Sequence, residues 1–471
     1  MKKNYDFVVI GGGSAGYAAA ATAAKEGLSV AVIEGGEEIG GLCILHGCMP
    51  SKTLLESAKR FDTLRRAREF GLRAENIAAH GDEIIARKKR FISGFADYRR
   101  EQLEHGKFDF IRGMAGFADA HTLEITTPQN EKVEITARSF LIATGSTENR
   151  IALPGLAETG FLDSDAVLDS TVIPDSVIVL GGGAVAMEFS QYYAALGKEV
   201  TIIQRGGQVL RDADADVAAS LTAAFRKRGV NVYLNTSLLR VERRGAEKRV
   251  WFQHEGGEKS TGAAEIIYAL GRKAQLHGLN LDRAGVLLAK RGHIACAANQ
   301  QTCVPHIFGA GDVVGPHEIV HLAVTQGEIA ARNAARLLRG GTEPMEEIDY
   351  RLKLFAVFSE PQVALVGMTE RELQRDGVPC AVACYPFYDH GKSMLMDEID
   401  GFVKLIVAEK SREILGAAVV GPHASDLIHE IAVAMYFRAT AMDLMKVPHY
   451  HPTLSEIWTY PAEELSQVAD N

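Results

Sequence analysis

Two stretches of the chain share one pattern of apolar and polar positions. Each begins with a short apolar run, continues through a glycine-rich turn into an alanine-rich segment, and ends in a second apolar run. Uninterrupted apolar runs predict strands buried on both faces, and the segment after each turn predicts a helix. The first copy has strands at 5–10 and 29–33, a turn at 11–16 and a helix at 17–25; the second has strands at 176–180 and 199–203, a turn at 181–186 and a helix ending at 196.

The remainder of the chain has two regions of different character. Residues 276–343 are expected to return to the first domain, and they end in an apolar helix at 318–338. A mixed sheet with helices, typical of an α+β interface domain, is predicted from Met345 onward. Its strand-like runs are 363–366, 402–407 and 414–420, and its helical segments are 425–438 and 454–465.

At 471 residues the chain is too long for one small core, so several domains are expected. The predicted fold class is α/β, with two Rossmann-like dinucleotide-binding domains and a C-terminal α+β domain. No repeat or low-complexity linker interrupts this plan. The predicted domains are 1–150 and 151–275 for the two nucleotides, 276–344 for a central part that completes the first domain, and 345–471 for the interface domain.

Composition narrows the classes of partner. The net charge is −9, and no stripe of lysine and arginine with interleaved aromatic residues occurs, so nucleic acid is not expected as a partner. No run approaches the roughly 20 apolar residues of a membrane span. The start Met1-Lys2-Lys3 leads into a strand and turn rather than into the apolar region of a signal peptide. We therefore expect a cytoplasmic protein.

The glycines of the first turn have the spacing of a dinucleotide-binding fingerprint. Gly11 permits a tight turn, Gly13 lets the backbone approach a pyrophosphate, and Gly16 allows close packing of the helix. The N-terminus of that helix attracts the anion. Glu34 stands eighteen residues after Gly16, where an acid suits a free ribose hydroxyl. Because the second copy repeats the whole arrangement, the chain is predicted to bind two dinucleotides.

The second fingerprint departs from the first at the position that selects the nucleotide. Gln204 and then Arg205 stand where the first copy has Glu34. Losing an acid and gaining a cation favours a 2′-phosphate, with Arg211 as a second cation. The pattern favours NADP(H) over NAD(H), and the alternative is that both arginines are solvated surface charges. The fingerprint itself consists of Gly181, Gly183 and Ala186.

Two of the six cysteines stand close together after the first dinucleotide-binding unit. Four residues separate Cys43 from Cys48, which allows their sulfurs to meet in a redox-active disulfide. The segment is predicted to start a helix, and the dipole at a helix N-terminus favours the thiolate. His46, between them, either lowers a thiol pKa or faces outward as an inert loop residue. Ordinary thiols, without the short spacing of a zinc site, are expected at Cys296, Cys303, Cys380 and Cys384.

Six motifs in order make the chain resemble the flavin-dependent pyridine nucleotide-disulfide oxidoreductases over essentially its whole length. Within this family, the C-terminal motif has the form found in dihydrolipoamide dehydrogenases; glutathione reductase and mercuric reductase are related members. The motifs are the two fingerprints, the C-x4-C-x-P-S-K run at 43–52, Ala143-Thr144-Gly145-Ser146, Gly309-Ala310-Gly311-Asp312, and the segment 449–456 with its His-x-His-Pro-Thr-Leu-Ser-Glu sequence.

The resemblance implies FAD in the first dinucleotide fold and a nicotinamide nucleotide in the second. Glu34 would bind the adenosine ribose of FAD and Asp312 its ribityl chain, while His321 would lie near the isoalloxazine ring. For the motif that contains Asp312, the alternative is a plain strand-to-helix turn. Cofactor-binding residues implied in this way are Gly11, Gly13, Gly16, Glu34, Lys52, Thr144, Gly145, Gly181, Gly183, Ala186, Gln204, Arg205, Arg211, Gly271, Asp312 and His321.

The resemblance also implies a separate role for each sulfur. Cys48 would face the flavin, and Cys43 would be the interchange thiol that exchanges with the substrate. Exchange needs an acid–base partner, for which the resemblance implies His451 from the opposite subunit, oriented by Glu456. A homodimer with a shared active site follows. The alternative for His451 is a residue that caps the helix begun by Thr453.

Lys52 and Glu188 follow the cysteine pair and the second fingerprint, and the resemblance implies an ion pair between them near the flavin. Its charge would tune the flavin potential; the alternative is a buried structural ion pair. In either case we expect its loss to be costly. His449 and Tyr450 either belong to the site or pack in a loop.

Several positions depart from the relatives. Leu45 and His46 replace the Asn and small aliphatic residue usual between the cysteines, which leaves the substrate open. Ala184 replaces a tyrosine of glutathione reductase, and Ala21-Thr22 replaces its arginine pair, so glutathione is a less favoured substrate. Mercuric ion is also less favoured, because residues 467–471 lack the C-terminal cysteine pair of mercuric reductase.

The leading hypothesis is a homodimeric, dihydrolipoamide dehydrogenase-like FAD enzyme that moves two electrons between NAD(P)(H) and a small dithiol or disulfide. A 2-oxoacid dehydrogenase complex is a candidate partner. The alternative is an NADPH-dependent reductase of another small disulfide of the glutathione type, or of mercuric ion, because Gln204-Arg205 conflicts with the NAD usual for dihydrolipoamide dehydrogenases. A third hypothesis is a non-catalytic assembly subunit, against which the complete set of redox residues argues.

Overall fold

The computed structural model describes residues 3–466. The basic start at Met1 and Lys2 and the final segment 467–471, both used in the predictions, lie outside the described residues. The strands are β1 (Asn4–Ile10), β2 (Val30–Glu34), β3 (Asp109–Arg112), β4 (Met114–Asp119), β5 (Thr122–Thr126), β6 (Lys132–Ile142), β7 (Ser146–Glu148), β8 (Ser176–Leu180), β9 (Glu199–Ile203), β10 (Asn231–Tyr233), β11 (Ser237–Arg244), β12 (Glu247–His254), β13 (Gly257–Ala263), β14 (Glu265–Tyr268), β15 (Arg272–Ala274), β16 (Ile307–Gly309), β17 (Leu354–Val357), β18 (Gln362–Gly367), β19 (Cys380–Pro386), β20 (Phe402–Ala408) and β21 (Ile414–Gly421).

Helices lie between groups of these strands. The α-helices are α1 (Ser14–Lys25), α2 (Gly41–Leu45), α3 (Cys48–Arg65), α4 (Gly81–Glu104), α5 (Leu156–Thr159), α6 (Ser164–Asp169), α7 (Ala184–Ala195), α8 (Ala215–Lys227), α9 (Val320–Leu338), α10 (Glu370–Asp376), α11 (Gly391–Met396), α12 (Ala424–Tyr436), α13 (Ala441–Lys446) and α14 (Thr459–Ser466). Short 3-10 helices occur at Ala67–Phe70, Tyr350–Leu352, Phe387–Asp389 and Ser455–Trp458.

The chain forms two compact units, each built from separate segments. The first comprises the chain up to Thr53, Ala86–Arg150 and Gly271–Asp349. The second comprises Leu54–Ile85, Ile151–Leu270 and the chain from Tyr350 onward. The finer division into four domains, with boundaries at 151, 276 and 345, stays a prediction.

A seven-stranded sheet lies at the centre of the first unit. Its order is β3-β2-β1-β6-β5-β4, with β16 beside β6. Strands β1, β2, β3, β6 and β16 are parallel, whereas β4 and β5 extend the sheet in antiparallel fashion. Val8 and Val9 are fully buried on opposite faces of β1, as the uninterrupted apolar run predicted. Strand β16 brings the chain back into this sheet.

Close backbone contacts shape the first fingerprint turn. Gly11 has a φ of +104°, and a Cβ atom there would lie 2.5 Å from the carbonyl oxygen of Ala143. A Cβ atom on Gly16 would collide with the carbonyl oxygen of Gly11, so α1 can start directly against β1 only with glycine at this position. The second turn repeats this arrangement with Gly181 at a φ of +117° and Ala186 fully buried in α7.

The second unit contains one parallel sheet, β10-β9-β8-β14, and two antiparallel sheets. Strands β8 and β9 have the predicted bounds, 176–180 and 199–203. The antiparallel sheets are β11-β12-β13 and β17-β18-β21-β20-β19, and the second of them packs with α12 and α14 around Trp458. The predicted α/β fold class with a C-terminal α+β region is confirmed.

One predicted helix is divided in the structure. Residues 454–465 form the 3-10 helix Ser455–Trp458, followed by α14. Pro461 has no N–H group to donate to the carbonyl of Ile457, so regular α-helical bonding cannot run through this point. The Thr459 hydroxyl donates to the Glu456 carbonyl oxygen (2.7 Å) and closes the tighter turn.

Two features bear on the predictions drawn from composition. No helix within residues 3–466 is long and apolar enough to cross a membrane, and the cytoplasmic location stays a prediction. The cysteines outside the predicted redox pair are free thiols. Burial raises the pKa of Cys296 to about 12, whereas Cys303 and Cys384 are exposed.

A buried ammonium group holds three carboxylates together in the second unit. Lys404, on β20, is fully buried, and its Nζ donates to Asp214 (3.1 Å), Asp216 (2.8 Å) and Glu370 (2.5 Å). Burial lowers its pKa, but the hydrogen bonds to two of these acids and their charges raise it overall. The acids lie close enough to share a cation, and the ammonium group occupies that place, so the cluster is a structural ion network.

Candidate active site

The two predicted redox cysteines lie on consecutive helices. Cys43 is in the middle of α2, and Cys48 is the first residue of α3, so only Cys48 stands at a helix N-terminus. Cys48 has the largest effect on Cys43: hydrogen bonding with Cys48, then burial, then the charge of Cys48 raise the pKa of Cys43 above its usual value, and the charge of Lys52 lowers it in part. The dipole argument for a thiolate therefore applies by position to Cys48, whereas the surroundings of Cys43 favour its protonated form.

A close backbone contact brings the cysteine segment against the first fingerprint turn. A Cβ atom on Gly41 would lie 2.8 Å from the Cα of Gly13, so glycine lets α2 begin directly beside the residue that caps α1. Cys43 follows two residues later. His46 caps the C-terminus of α2 and is partly buried, and both roles considered for it stay predictions.

The first fingerprint turn has the donors and the acid that the pyrophosphate and ribose of FAD require. Gly13 caps α1 in an extended conformation and has no side chain, so the first N–H groups of the helix stay open to an anion. Glu34, at the end of β2, accepts hydrogen bonds from the N–H groups of Gly12 (2.8 Å) and Gly36 (2.6 Å). Its carboxylate is thereby held at the turn, where a ribose hydroxyl can reach it. These residues fit the group.

Asp312 is held in place at the carboxyl ends of the parallel strands. Ser146 donates a hydrogen bond to Asp312 (2.7 Å), and Arg272 donates to the hydroxyl (2.8 Å) and carbonyl (2.7 Å) of Ser146. The Thr144 hydroxyl donates to the carbonyl of Gln275 (2.7 Å) and fixes the same loop. This edge is where Rossmann-like sheets bind ligands. Other predicted residues are Gly145 and Gly271, both with positive φ, and His321, exposed in the first turn of α9.

The second fingerprint repeats the open helix start but lacks the acid. Gly183 caps α7 without a side chain, as Gly13 does in the first copy. Gln204 follows β9, and its Nε2 donates to a backbone carbonyl (3.1 Å). Arg205 is exposed, and Arg211 is exposed with its Nε 3.5 Å from Asp212. These residues fit a pyridine nucleotide, and no carboxylate takes the position of Glu34.

The two residues predicted to form an ion pair belong to different compact units. Lys52 follows Cys48 by about one turn of α3. Glu188 is a buried residue of α7, and its Oε1 accepts a hydrogen bond from the N–H group of Phe358 (3.2 Å). A contact between Lys52 and Glu188 stays a prediction.

His451 and Glu456 lie together, in the geometry expected of an oriented imidazole. The Nδ1 atom of His451 is 3.1 Å from both carboxylate oxygens of Glu456. The His451 side chain is 80% exposed, whereas Glu456 is buried. The carboxylate can therefore hold a proton on Nδ1 and leave Nε2 facing outward. Catalysis by this pair stays a prediction that the geometry favours.

A third residue beside this pair was missed by sequence reasoning. His390 is fully buried; its Nδ1 is 2.8 Å from Ser393 Oγ, and its Nε2 is 3.6 Å from Glu456 Oε1 without a hydrogen-bond partner among residues 3–466. Burial lowers the pKa of His390, although the charge of Glu456 raises it in part. The segment around His390 carries no motif, so only the folded chain shows its place.

The two residues considered with His451 differ in their surroundings. His449 has Nε2 2.6 Å from Glu430 Oε1 and Nδ1 2.9 Å from the carbonyl of Val447. Both ring nitrogens are thus used to hold the loop. Tyr450 is 83% exposed. For His449 the geometry favours loop packing.

Arg99, on α4, was also missed. Its guanidinium carbon lies 4.2 Å from the centre of the Tyr17 ring on α1. Its Nε and Nη1 atoms are buried and have no hydrogen-bond partner in the described chain. Burial lowers the pKa of Arg99, and the charges of Tyr17 and Cys43 raise it in part. The many charged residues of α4 are typical of a solvated helix, so the sequence gives no signal that this one is shielded.

Replacing His390 by asparagine should flatten the acid side of the stability profile. Because burial holds the pKa of His390 below its ordinary value of 6.5, the unfolded chain binds the proton more readily. Its contribution to stability is complete above this value and is lost as the pH falls below it. In urea unfolding, the free energy of unfolding of the wild type should fall as the pH is lowered. In His390→Asn this fall should be smaller, by up to about 1.4 kcal/mol per pH unit.

His277→Asn, which replaces an exposed histidine outside the group formed by His390, His451 and Glu456, is the control for this experiment. If the free energy of unfolding changes with pH equally in the wild type and in His390→Asn, buried His390 does not contribute to the pH dependence of stability.

The chain matches one family over both of its units. Residues 5–327 match the family described as pyridine nucleotide-disulphide oxidoreductase, and residues 355–462 match the dimerisation domain of that family. A dihydrolipoyl dehydrogenase of Chlamydia trachomatis is 34% identical over 466 residues, which cover 98% of this chain and 97% of the relative. A dihydrolipoyl dehydrogenase of Geobacillus stearothermophilus is 32% identical over 463 residues, covering 98% and 95%.

Solved structures of similar chains have the same fold. LpdA of Mycobacterium tuberculosis has a TM-score of 0.86 and 28% identity, covering 98% of this chain and 99% of that one. The HOCl-induced flavoprotein disulfide reductase RclA of Escherichia coli, solved as a Cu(II) complex, has a TM-score of 0.84 and 26% identity, covering 98% and 100%.

Proposed function

The chain belongs to the pyridine nucleotide-disulphide oxidoreductase family, and on this basis we propose that it catalyses a dihydrolipoamide dehydrogenase-like reaction at Cys43 and Cys48. It is an FAD-dependent enzyme that moves two electrons between a pyridine nucleotide and a small dithiol or disulfide. The observation that carries the proposal is the hydrogen-bonded sulfur pair beside the first fingerprint turn. Relatives named dihydrolipoyl dehydrogenase support lipoamide as the substrate.

In this proposal the FAD is held by the first unit. When bound, FAD would supply the chemistry that carries two electrons from a nicotinamide to a disulfide. Glu34 binds the adenosine ribose, the open N-terminus of α1 binds the pyrophosphate, and Asp312, fixed by Ser146, binds the ribityl chain. Cys48 faces the flavin, and Lys52 pairs with Glu188 to set the charge beside it.

The cysteine pair exchanges with the substrate in two balanced steps. The Cys43 thiolate attacks one sulfur of the substrate disulfide, which forms a mixed disulfide and releases one substrate thiolate that takes up a proton. Cys48 then attacks Cys43, so the Cys43–Cys48 disulfide forms and the second substrate thiol leaves. The dithiol loses the two electrons that the substrate gains.

A base assists this exchange because the pKa of Cys43 is raised. Because the interaction with Cys48 and burial raise the pKa of Cys43, a group that takes its proton promotes formation of the attacking thiolate. His451 of the partner subunit takes it and returns it to the leaving thiolate, while the partner's Glu456 holds the imidazole. The dimerisation domain supports the homodimer that this arrangement needs.

The proposal extends to the nucleotide and to a partner. Arg205 is exposed beside β9, and the acid of the first copy is absent, which supports NADP(H) over NAD(H). Dihydrolipoyl dehydrogenase relatives support a 2-oxoacid dehydrogenase complex as a partner. Arg205 supports NADP(H), whereas the dihydrolipoyl dehydrogenase relatives support NAD(H). A second candidate, favoured by Arg205, is therefore an NADPH-dependent reductase of another small disulfide.

Removing the interchange sulfur should separate the two halves of the reaction. Cys43→Ser should lower lipoamide turnover by roughly 10³-fold or more, because no nucleophile remains for exchange. Reduction of ferricyanide by the pyridine nucleotide should persist, because it needs only the flavin. Cys303→Ser, which removes an exposed thiol, is the matched control. Unchanged lipoamide turnover in Cys43→Ser, or none in the wild type with either nucleotide, would refute the lipoamide proposal.

The nucleotide preference can be tested at Arg205. Arg205→Ala should reduce kcat/KM for NADPH by about 10- to 100-fold, the loss expected for a charged hydrogen bond to phosphate. The value for NADH should change little, because NADH lacks that phosphate. Arg226→Ala, outside the β9 turn, is the control. A wild-type enzyme that uses NADH better than NADPH would contradict the preference.

A further inference from the structure

Arg99 presents hydrogen-bond donors for which the described chain supplies no acceptor. Its Nε and Nη1 atoms are shielded from solvent and unbonded. An arginine keeps its charge at neutral pH. Because an unsatisfied buried donor is costly, and more so on a charged group, such a side chain is expected where a ligand completes it.

Three contacts place this guanidinium on the side of the first unit that holds the cysteine pair. Arg99 lies over Tyr17, which follows Gly13 by one turn of α1 and donates its N–H group to the Gly13 carbonyl (2.9 Å). Gly13 lies against Gly41 at the start of α2, two residues before Cys43. The Arg99 charge also interacts with Cys43, in agreement with this path.

A second unsatisfied group lies on the same face of α4. Gln102, three residues after Arg99, has a buried Oε1 without a hydrogen-bond partner in residues 3–466. Residues three apart on a helix are neighbours. Leu103, the next residue, lies near Gly12 at the fingerprint turn, since a Cβ atom on Gly12 would be 3.2 Å from its Cδ1. Arg99 lies one helical turn before Leu103, the residue of α4 that lies near the fingerprint turn.

We infer that Arg99 binds a carboxylate of the substrate, so that the site prefers a small disulfide with a carboxylate near its sulfur atoms. The inference rests on the proposed exchange at Cys43. Because the Tyr17 ring covers one face of the guanidinium, a ligand would approach it along its N–H edge, where a carboxylate would accept two parallel hydrogen bonds. Gln102 supplies a polar neighbour for the rest of the substrate. Neutral lipoamide would still exchange at Cys43, but it would make no ion pair with Arg99.

The test compares one disulfide in two charge states on the FAD-loaded dimer. Dithiodipropionate is the anionic probe, and its diamide is the neutral probe with the same sulfur chemistry. The variants are Arg99→Gln and the control Arg100→Gln, whose side chain is exposed and paired with Asp97 (2.8 Å). Bound FAD per subunit is measured by absorbance in each protein.

The wild type should favour the dianion in kcat/KM. Arg99→Gln should lower kcat/KM for the dianion by about 10- to 100-fold and leave the diamide within about twofold, because only one probe loses a charged hydrogen bond. Arg100→Gln should change neither. FAD content should be equal in all three proteins.

Several results would overturn the inference. Equal loss for both probes would make Arg99 a structural residue, and loss of FAD would make it a flavin ligand. A wild type that reduces both probes equally well would also overturn it, whether or not the variant folds. Failure to reduce any disulfide, with ferricyanide reduction retained, would instead refute the proposed function on which the inference rests.

Discussion

The position of Cys43 and Cys48 beside the first fingerprint turn is the constraint on which the rest of the site depends. Helix α2 begins at Gly41, directly against Gly13, and α3 begins only a few residues later at Cys48. The spacing of the cysteines, the placement of the two helices and the shape of the turn are therefore linked. The two sulfurs are held at a fixed distance along the chain from a turn whose helix N-terminus is open to an anion.

The surroundings of Cys43 give the acid–base residues of the proposal their purpose. The interaction with Cys48 raises the pKa of the Cys43 thiol, and a thiol is a poor nucleophile until a base removes its proton. His451 is exposed, while its carboxylate neighbour Glu456 is buried near His390. In the proposed exchange the exposed imidazole would reach the substrate of the partner subunit, and the buried carboxylate would fix the orientation of the ring.

Sequence reasoning was most successful where local pattern decides structure. Strands β8 and β9 were predicted to the residue because uninterrupted apolar runs between turns have few alternatives. The helix predicted at 454–465 is divided into a 3-10 helix and α14, because Pro461 interrupts a pattern that is otherwise helical. The approach of His451 to Glu456 was predictable from a motif. Arg99 and His390 were not, because each gains its environment from elements distant in sequence, and charge on a helix normally indicates solvent.

The central claim, that two electrons from the pyridine nucleotide reach a Cys43–Cys48 disulfide, can be tested most directly by counting thiols. The oxidised enzyme, denatured without air, should show four of its six cysteines as free thiols. After anaerobic reduction by one equivalent of the pyridine nucleotide and denaturation in acid, all six should react. A count that stays at four, with the nucleotide consumed, would contradict the account, because the electrons would then have bypassed the cysteine pair.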